Sequence, residues 1–200
     1  MKSVMVVFPD SIDTMNPMTT SATVQQIISM LQLEPLPVEG SLFRQTYRAA
    51  DTITDVAASP IYAKDKPAGT AILAMFTDDP DSFSLMHRLP TDEVWHFYLG
   101  DPIELLLLYP DGLSERVMMG QDILNGQRVQ FVVPRGVWMG AHLLPGGAYA
   151  LFGNTMAPGF TSADFEGIDR DALIAQYPHE VELITALTRL HSETRMPDGL

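Results

Sequence analysis

The chain has 200 residues, 46% of them hydrophobic and 18% charged, with 15 prolines, 14 glycines and no cysteine. This composition suits one folded domain and excludes disulfides, thiolate metal sites and a cysteine nucleophile, as befits a reducing cytoplasm. A formal net charge of −13 opposes phosphate backbones and anionic membranes, so neither nucleic acid nor a membrane is expected as a partner.

Residues 1–20 hold one short apolar run, Val4 to Phe8, ended by Pro9 and Asp10. It is too short for a signal core or a membrane span. It reads either as a leader ahead of the domain or as an edge strand that pairs with a partner. A single domain is expected over residues 21–191, followed by a frayed tail over 192–200.

Residues 21–33 read as a helix with Thr20 or Ser21 as its cap. Val24, Ile27, Ile28 and Leu31 share one face, and Pro35 and Pro37 stop it. Residues 41–48 alternate as a strand, with Phe43, Gln45 and Tyr47 on one face and Arg44, Thr46 and Arg48 on the other. Residues 49–68 read as a long loop.

From Gly69 onward, strand-like runs fall at 70–77, 83–89, 94–99, 104–109, 116–119, 128–133, 137–143 and 149–152. Asp111-Gly112, Asn125-Gly126 and Gly146-Gly147 lie between runs and are hairpin signals, because tight turns need positive φ. Many short strands without helical crossovers argue for an all-β sandwich or closed barrel. Residues 154–167 read as an ordered loop anchored by Phe160 and Phe165. Two helices over 169–177 and 179–190, separated by Pro178, close the domain.

Two of the five histidines stand in the stretch from His87 to Gly100. With a hairpin turn at Pro90 to Asp92, His87 ends one strand and Glu93 begins the next, so the two side chains can meet across the pair. A carboxylate beside an imidazole orients it and raises its basicity, the arrangement that supports general bases and metal ligands. Strict alternation from Glu93 puts Trp95 and Phe97 on its face and His96 on the opposite one, unless a bulge re-phases the strand.

These residues resemble the cupin superfamily. Its first motif, G(X)5HXH(X)3-4E(X)6G, is matched in its second half by Glu93 and Gly100. His87 stands near the second histidine position, with five residues between it and Glu93 where the motif has three or four, and Leu85 stands at the first. The second motif, G(X)5PXG(X)2H(X)3N, is matched by Pro134, Arg135 and Gly136, with Met139 at the histidine position. Residues 39–48, 84–102 and 154–166 look like a stand-alone cupin branch of mostly unassigned function, similar in fold to the metal-free dTDP-4-keto-6-deoxyhexose 3,5-epimerases. The resemblance implies a double-stranded β-helix, the jelly-roll barrel, with an N-terminal helix and C-terminal helices. It also implies a homodimer and a small-molecule ligand.

The first functional expectation is acid–base chemistry, an isomerisation, epimerisation or dehydration of a small polar carbonyl or sugar-like compound. His87 would be the acid or base, Glu93 its orienting partner, and His96 joins them through the resemblance of its Trp-His-Phe-Tyr setting. The cofactor is left open: a divalent metal on His87, Glu93 and His96 is one alternative, a non-catalytic binding barrel another. Arg44 and Tyr47 read either as a solvated or dimer-facing strand or as a rim that binds substrate. Trp138 and Met139 read either as core or as an apolar wall for a ring.

Overall fold

A computed structural model of the chain describes residues 20–54, 65–190 and 194–197. The run Val4 to Phe8, His191 and part of the loop over 49–68 lie outside the described residues.

Helix α1 (Thr20–Leu31) presents Val24, Ile27, Ile28 and Leu31 to Met75 and Leu151 on the outside of a sheet. It ends where Gln32 takes a left-handed φ of 54°, a common way for a helix to close. Among the described residues thirteen strands follow: β1 (Glu34–Pro35), β2 (Leu42–Arg48), β3 (Thr52–Ile53), β4 (Lys66–Pro67), β5 (Thr70–Thr77), β6 (Phe83–Arg88), β7 (Glu93–Gly100), β8 (Ile103–Leu108), β9 (Ser114–Met119), β10 (Gln130–Val133), β11 (Trp138–Leu143), β12 (Tyr149–Met156) and β13 (Glu166–Gly167). Helices α2 (Arg170–Gln176) and α3 (Val181–Ala186) come last. Asp169 caps α2 by accepting from the backbone N–H groups of Asp171 and Ala172.

One sheet has the order β1-β2-β5-β12-β7-β10 and the other β13-β6-β11-β8-β9, while β3 and β4 form a small separate pair. The pairs are antiparallel. Side chains from both sheets, among them Phe76, Trp95, Phe152, Leu105, Leu107 and Met139, meet in one interior core. The architecture is an all-β jelly-roll barrel with helices on both outer faces.

The four leucines of β8 show why its sequence does not alternate. Leu105 and Leu107 fill the barrel, whereas Leu106 and Leu108 pack outward beneath α2 and α3 with Leu173 and Ile184. All four are fully buried, and each contributes about 1.5–3 kcal/mol of transfer free energy.

The turns depart from the hairpin expectation. Asp111-Gly112 closes a hairpin between β8 and β9. Asn125-Gly126 and Gly146-Gly147 do not, since β9 and β10, and β11 and β12, do not pair with each other as strands; β11 and β12 belong to different sheets. Gly112, Gly126 and Gly146 all have positive φ. The glycines therefore report the local backbone correctly, while the destination of the chain is set by which sheet has an open place. The segment at Pro90 to Asp92 is likewise a sheet-switching corner, because β6 and β7 lie in different sheets. It is tied to the turn before β11: the Gly136 N–H donates to the Leu89 carbonyl at 2.8 Å, and the Arg135 N–H to Asp92 Oδ1 at 2.8 Å.

Candidate functional site

Strand β6 carries His87 into the barrel by means of a bulge. His87 faces Met139 and Ser84 faces Ala141, so three steps along β6 match two along β11. The extra residue falls at Leu85 and Met86, and both of these pack outward against the helices. Without it, His87 would share the outward face of Phe83 and Leu85. Two features make room for the bulge. The Met86 N–H donates to the Leu187 carbonyl just past α3 at 2.9 Å. Gly140 lies alongside, where a Cβ would stand 2.7 Å from Met86 Sδ and 3.1 Å from the Ser84 carbonyl.

The imidazole is then held from two sides. Nδ1–H donates to the Leu85 carbonyl at 2.7 Å, and a carbonyl can only accept, which fixes the proton on that nitrogen. Phe165 stacks on the ring at 4.9 Å between centroids and 18° between planes. Among the described residues Nε2 has no hydrogen-bond partner. The loop carrying Phe165 is fastened beside it by the buried ion pair of Lys66 with Asp164.

Glu93 comes from the opposite sheet. Glu93, Trp95 and Phe97 are buried along the inward face of β7, and Glu93 faces Val133 on β10 and Met156 on β12. The Trp95 indole N–H donates to Glu93 Oε2 at 2.6 Å. Burial pushes the Glu93 carboxyl up to about 7, against the opposing pull of the His87 charge and the Trp95 hydrogen bond; nearby Glu39 pushes it further up. Desolvation thus outweighs every favourable contact this carboxylate makes.

His87 and Glu93 both open onto a cavity of about 750 Å³ between the sheets. Its apolar wall includes Leu89, Met156, Phe160 and Phe165, and its polar lining includes Glu34, Glu39, Arg44, Gln45 and Asn154. The expected pair therefore converges, but across the barrel interior rather than across a hairpin. The orienting role also differs from expectation: the Leu85 carbonyl and Phe165 orient His87, and Trp95 orients Glu93.

The other expected site residues lie elsewhere or act differently. His96 is on the outer face, as alternation dictates. The Gln130 amide donates to its Nδ1 at 3.1 Å and its Nε2–H donates to Thr155 Oγ1 at 2.9 Å. The bulge of β7 falls at Tyr98, beyond it, so the structure does not bring His96 to His87 and Glu93. Arg44 does reach the cavity rim, where its Nη1 donates to the Leu31 carbonyl and to Gln32 Oε1 at 3.1 and 3.2 Å. Tyr47 does not. A bulge after Gln45 sets Tyr47 opposite Ala71, on the outer face and 56% exposed. Trp138 faces the helices beneath the Arg88 guanidinium, 4.5 Å above its ring. Met139 points inward but is packed into the barrel core and is not part of the cavity lining.

Asn154, Glu39, Glu34 and Gln45 join the cavity without having been singled out in the sequence. For Asn154 a signal existed: Ala150, Phe152, Asn154 and Met156 continue one period-2 face of β12, with one polar residue in an apolar row. The irregular segment around Glu39 offered none. Met196, in the segment expected to fray, is buried and lines the same cavity.

A divalent metal does not suit this donor set. Among the described residues no three His, Asp or Glu side chains come together to hold one. His87 and Glu93 offer one nitrogen and one carboxylate, His96 is outside the barrel, and a core methionine, Met139, faces His87 across the strand pair. Among the described residues, no helix is long and apolar enough to cross a membrane.

Comparison with known proteins accords with this fold. A crystal structure of protein SO0799 from Shewanella oneidensis is 29% identical with a TM-score of 0.72, over 84% of this chain and 98% of that one. A hypothetical protein from Leishmania major is 28% identical with a TM-score of 0.72, over 82% of this chain and 97% of that one. No curated protein matches the chain. The family model described as Cupin superfamily (DUF985) matches residues 25–168, and the chain therefore belongs to that family.

Proposed function

We propose that the barrel cavity performs acid–base chemistry on a small polar carbonyl or sugar-like compound, an isomerisation or epimerisation. One observation carries this reading: an imidazole and a carboxyl, each positioned by its own partners, open onto one cavity, and the carboxyl is held at about 7. A group that titrates near neutrality can both take and return a proton at working pH.

In this reading Glu93 removes a proton from the carbon beside the ligand carbonyl. The C–H electron pair moves into the new C=C bond, and the carbonyl π pair moves onto oxygen. His87 Nε2–H, when the ring carries its second proton, donates to that oxygen. Return of the proton to the opposite face of the same carbon, with His87 taking its proton back from the oxygen, gives the epimer. Return to the former carbonyl carbon, with His87 taking the proton of the neighbouring hydroxyl as that carbon becomes the carbonyl, gives the isomer. The apolar wall around Phe160 and Phe165 keeps water away from the intermediate.

The test is solvent exchange. Purified protein in D2O at pH 7 should incorporate deuterium beside the carbonyl of at least one member of a panel of ketoses and deoxyketo sugars, read by proton NMR. Glu93→Gln should abolish the incorporation. A panel that stays fully protonated with the wild-type protein overturns the proposal and leaves a non-catalytic binding barrel as its replacement.

A further inference from the structure

One buried polar group of the cavity has no task in that chemistry. Asn154 is 7% exposed and lines the cavity, and its Nδ2 has no hydrogen-bond partner among the described residues. Buried amide N–H groups are almost always paired, and one left open is costly. We infer that Asn154 is the donor that holds an oxygen of the ligand, and that this ligand is a neutral carbonyl compound rather than a carboxylate; the inference rests on the acid–base reading for the carbonyl itself.

Placement supports the role. Asn154 directly faces Trp95 on β7 and Ile72 on β5, so it shares their inward face. Met156, two residues on, faces Glu93. Asn154 and Glu93 are therefore diagonal neighbours on one wall, a separation of about 7–8 Å. A carbonyl group and its adjacent carbon bridge such a gap, with the oxygen at the amide and the carbon toward the carboxyl. His87 faces them from the other sheet.

Charge selects the ligand class. The titratable groups lining the cavity are Glu34, Glu39, Glu93, Arg44 and His87. Arg44 already donates to the end of α1. A carboxylate ligand would meet three acidic side chains against one engaged cation, Arg44, and His87 when its ring carries the second proton, so acidic groups outnumber cationic ones, and like charges in a partly desolvated cavity repel. A neutral polyhydroxy ketone meets no such barrier. Its carbonyl oxygen accepts from the amide of Asn154, which leaves the Glu93 carboxylate facing the adjacent carbon.

Ligand-observed NMR titrations at pH 7 test this with dihydroxyacetone and D-fructose as neutral probes and pyruvate and 5-keto-D-gluconate as their anionic counterparts. The proteins are the wild type, Asn154→Leu and Asn154→Asp, each checked for folding by thermal unfolding. We expect a neutral ketone to bind with a Kd roughly tenfold or more below that of its acid counterpart, and both variants to lose roughly tenfold or more of that affinity. Acids that bind as well as the ketones, ketones that do not bind at all, or a folded Asn154→Leu with unchanged Kd would each overturn it. Deuterium uptake in the same samples separates the two readings. Uptake in Asn154→Leu together with an unchanged Kd removes the role of Asn154 and keeps the acid–base chemistry. Binding that depends on Asn154 without uptake does the reverse.

Discussion

The two strands that supply the site are built by different rules. β7 alternates without interruption from Glu93 to Phe97, and every side chain in that span points where its parity says. β6 is interrupted at Leu85 and Met86, and its histidine points inward because of the interruption. A regular strand needs only its own pattern and a core to face. A bulged one needs accommodation from elsewhere, here the missing side chain at Gly140 and the Leu187 carbonyl beyond α3. The carboxyl is thus fixed by local sequence, and the imidazole by tertiary packing.

The largest expected effect comes from removing the bulged strand's contribution altogether. His87→Ala should lower the rate of deuterium incorporation by about 100- to 10,000-fold, measured beside circular dichroism to show an intact fold. A loss below about threefold would mean that the bulge serves packing alone.

On the regular strand, Glu93 should reveal itself through stability. Its pKa in the folded protein is about 7 against an ordinary 4.5, so the folded state binds its proton more tightly than the unfolded state does. The stability linked to that proton is fully present below about 4.5 and is lost as pH rises through 7. Glu93→Gln keeps an acceptor for Trp95 and carries no charge. Relative to wild type it should gain roughly 3 kcal/mol between pH 4.5 and pH 8, read from urea unfolding. A difference that does not change with pH would show Glu93 to be well solvated and would break the contrast between the strands.

Gly140→Ala probes the accommodation. A methyl group there would crowd Met86 Sδ and the Ser84 carbonyl, at a cost of about 1–3 kcal/mol. Met86→Ala in the same chain should recover part of that cost, because the pair is in contact. Full additivity of the two substitutions would disconnect Gly140 from the bulge.

The smallest effect belongs to His96. His96→Ala removes hydrogen bonds to Thr155 and Gln130 on a half-buried outer face, worth about 0.5–1.5 kcal/mol. The exchange rate should stay within about twofold of wild type. A large loss of rate would place the reacting groups on the outside of β7 and reverse the assignment of faces.

The legibility of the site follows the same division. Glu93 and the outward position of His96 were readable, because period 2 holds along β7. Tyr47 was placed on the face of Phe43 and Gln45 by the same rule, and a bulge carried it to the other face. Asn154 was hidden because the small and polar residues after Gly153 resemble a loop. Backbone pairing with β5 and β7 on both sides nevertheless keeps residues 153–156 extended.

By itself the sequence determined the all-β class, the places of most strands, the positive-φ turn glycines and the cupin resemblance. These depend on alternation, turn chemistry and motif spacing, all of which act over a few residues. Tertiary structure alone decided which turns close hairpins and which switch sheets, which way His87 faces, and which distant acidic and amide groups share its cavity. Those outcomes depend on partners far along the chain, since an extra residue in a strand can be absorbed only where another element leaves space and a hydrogen-bond acceptor for it.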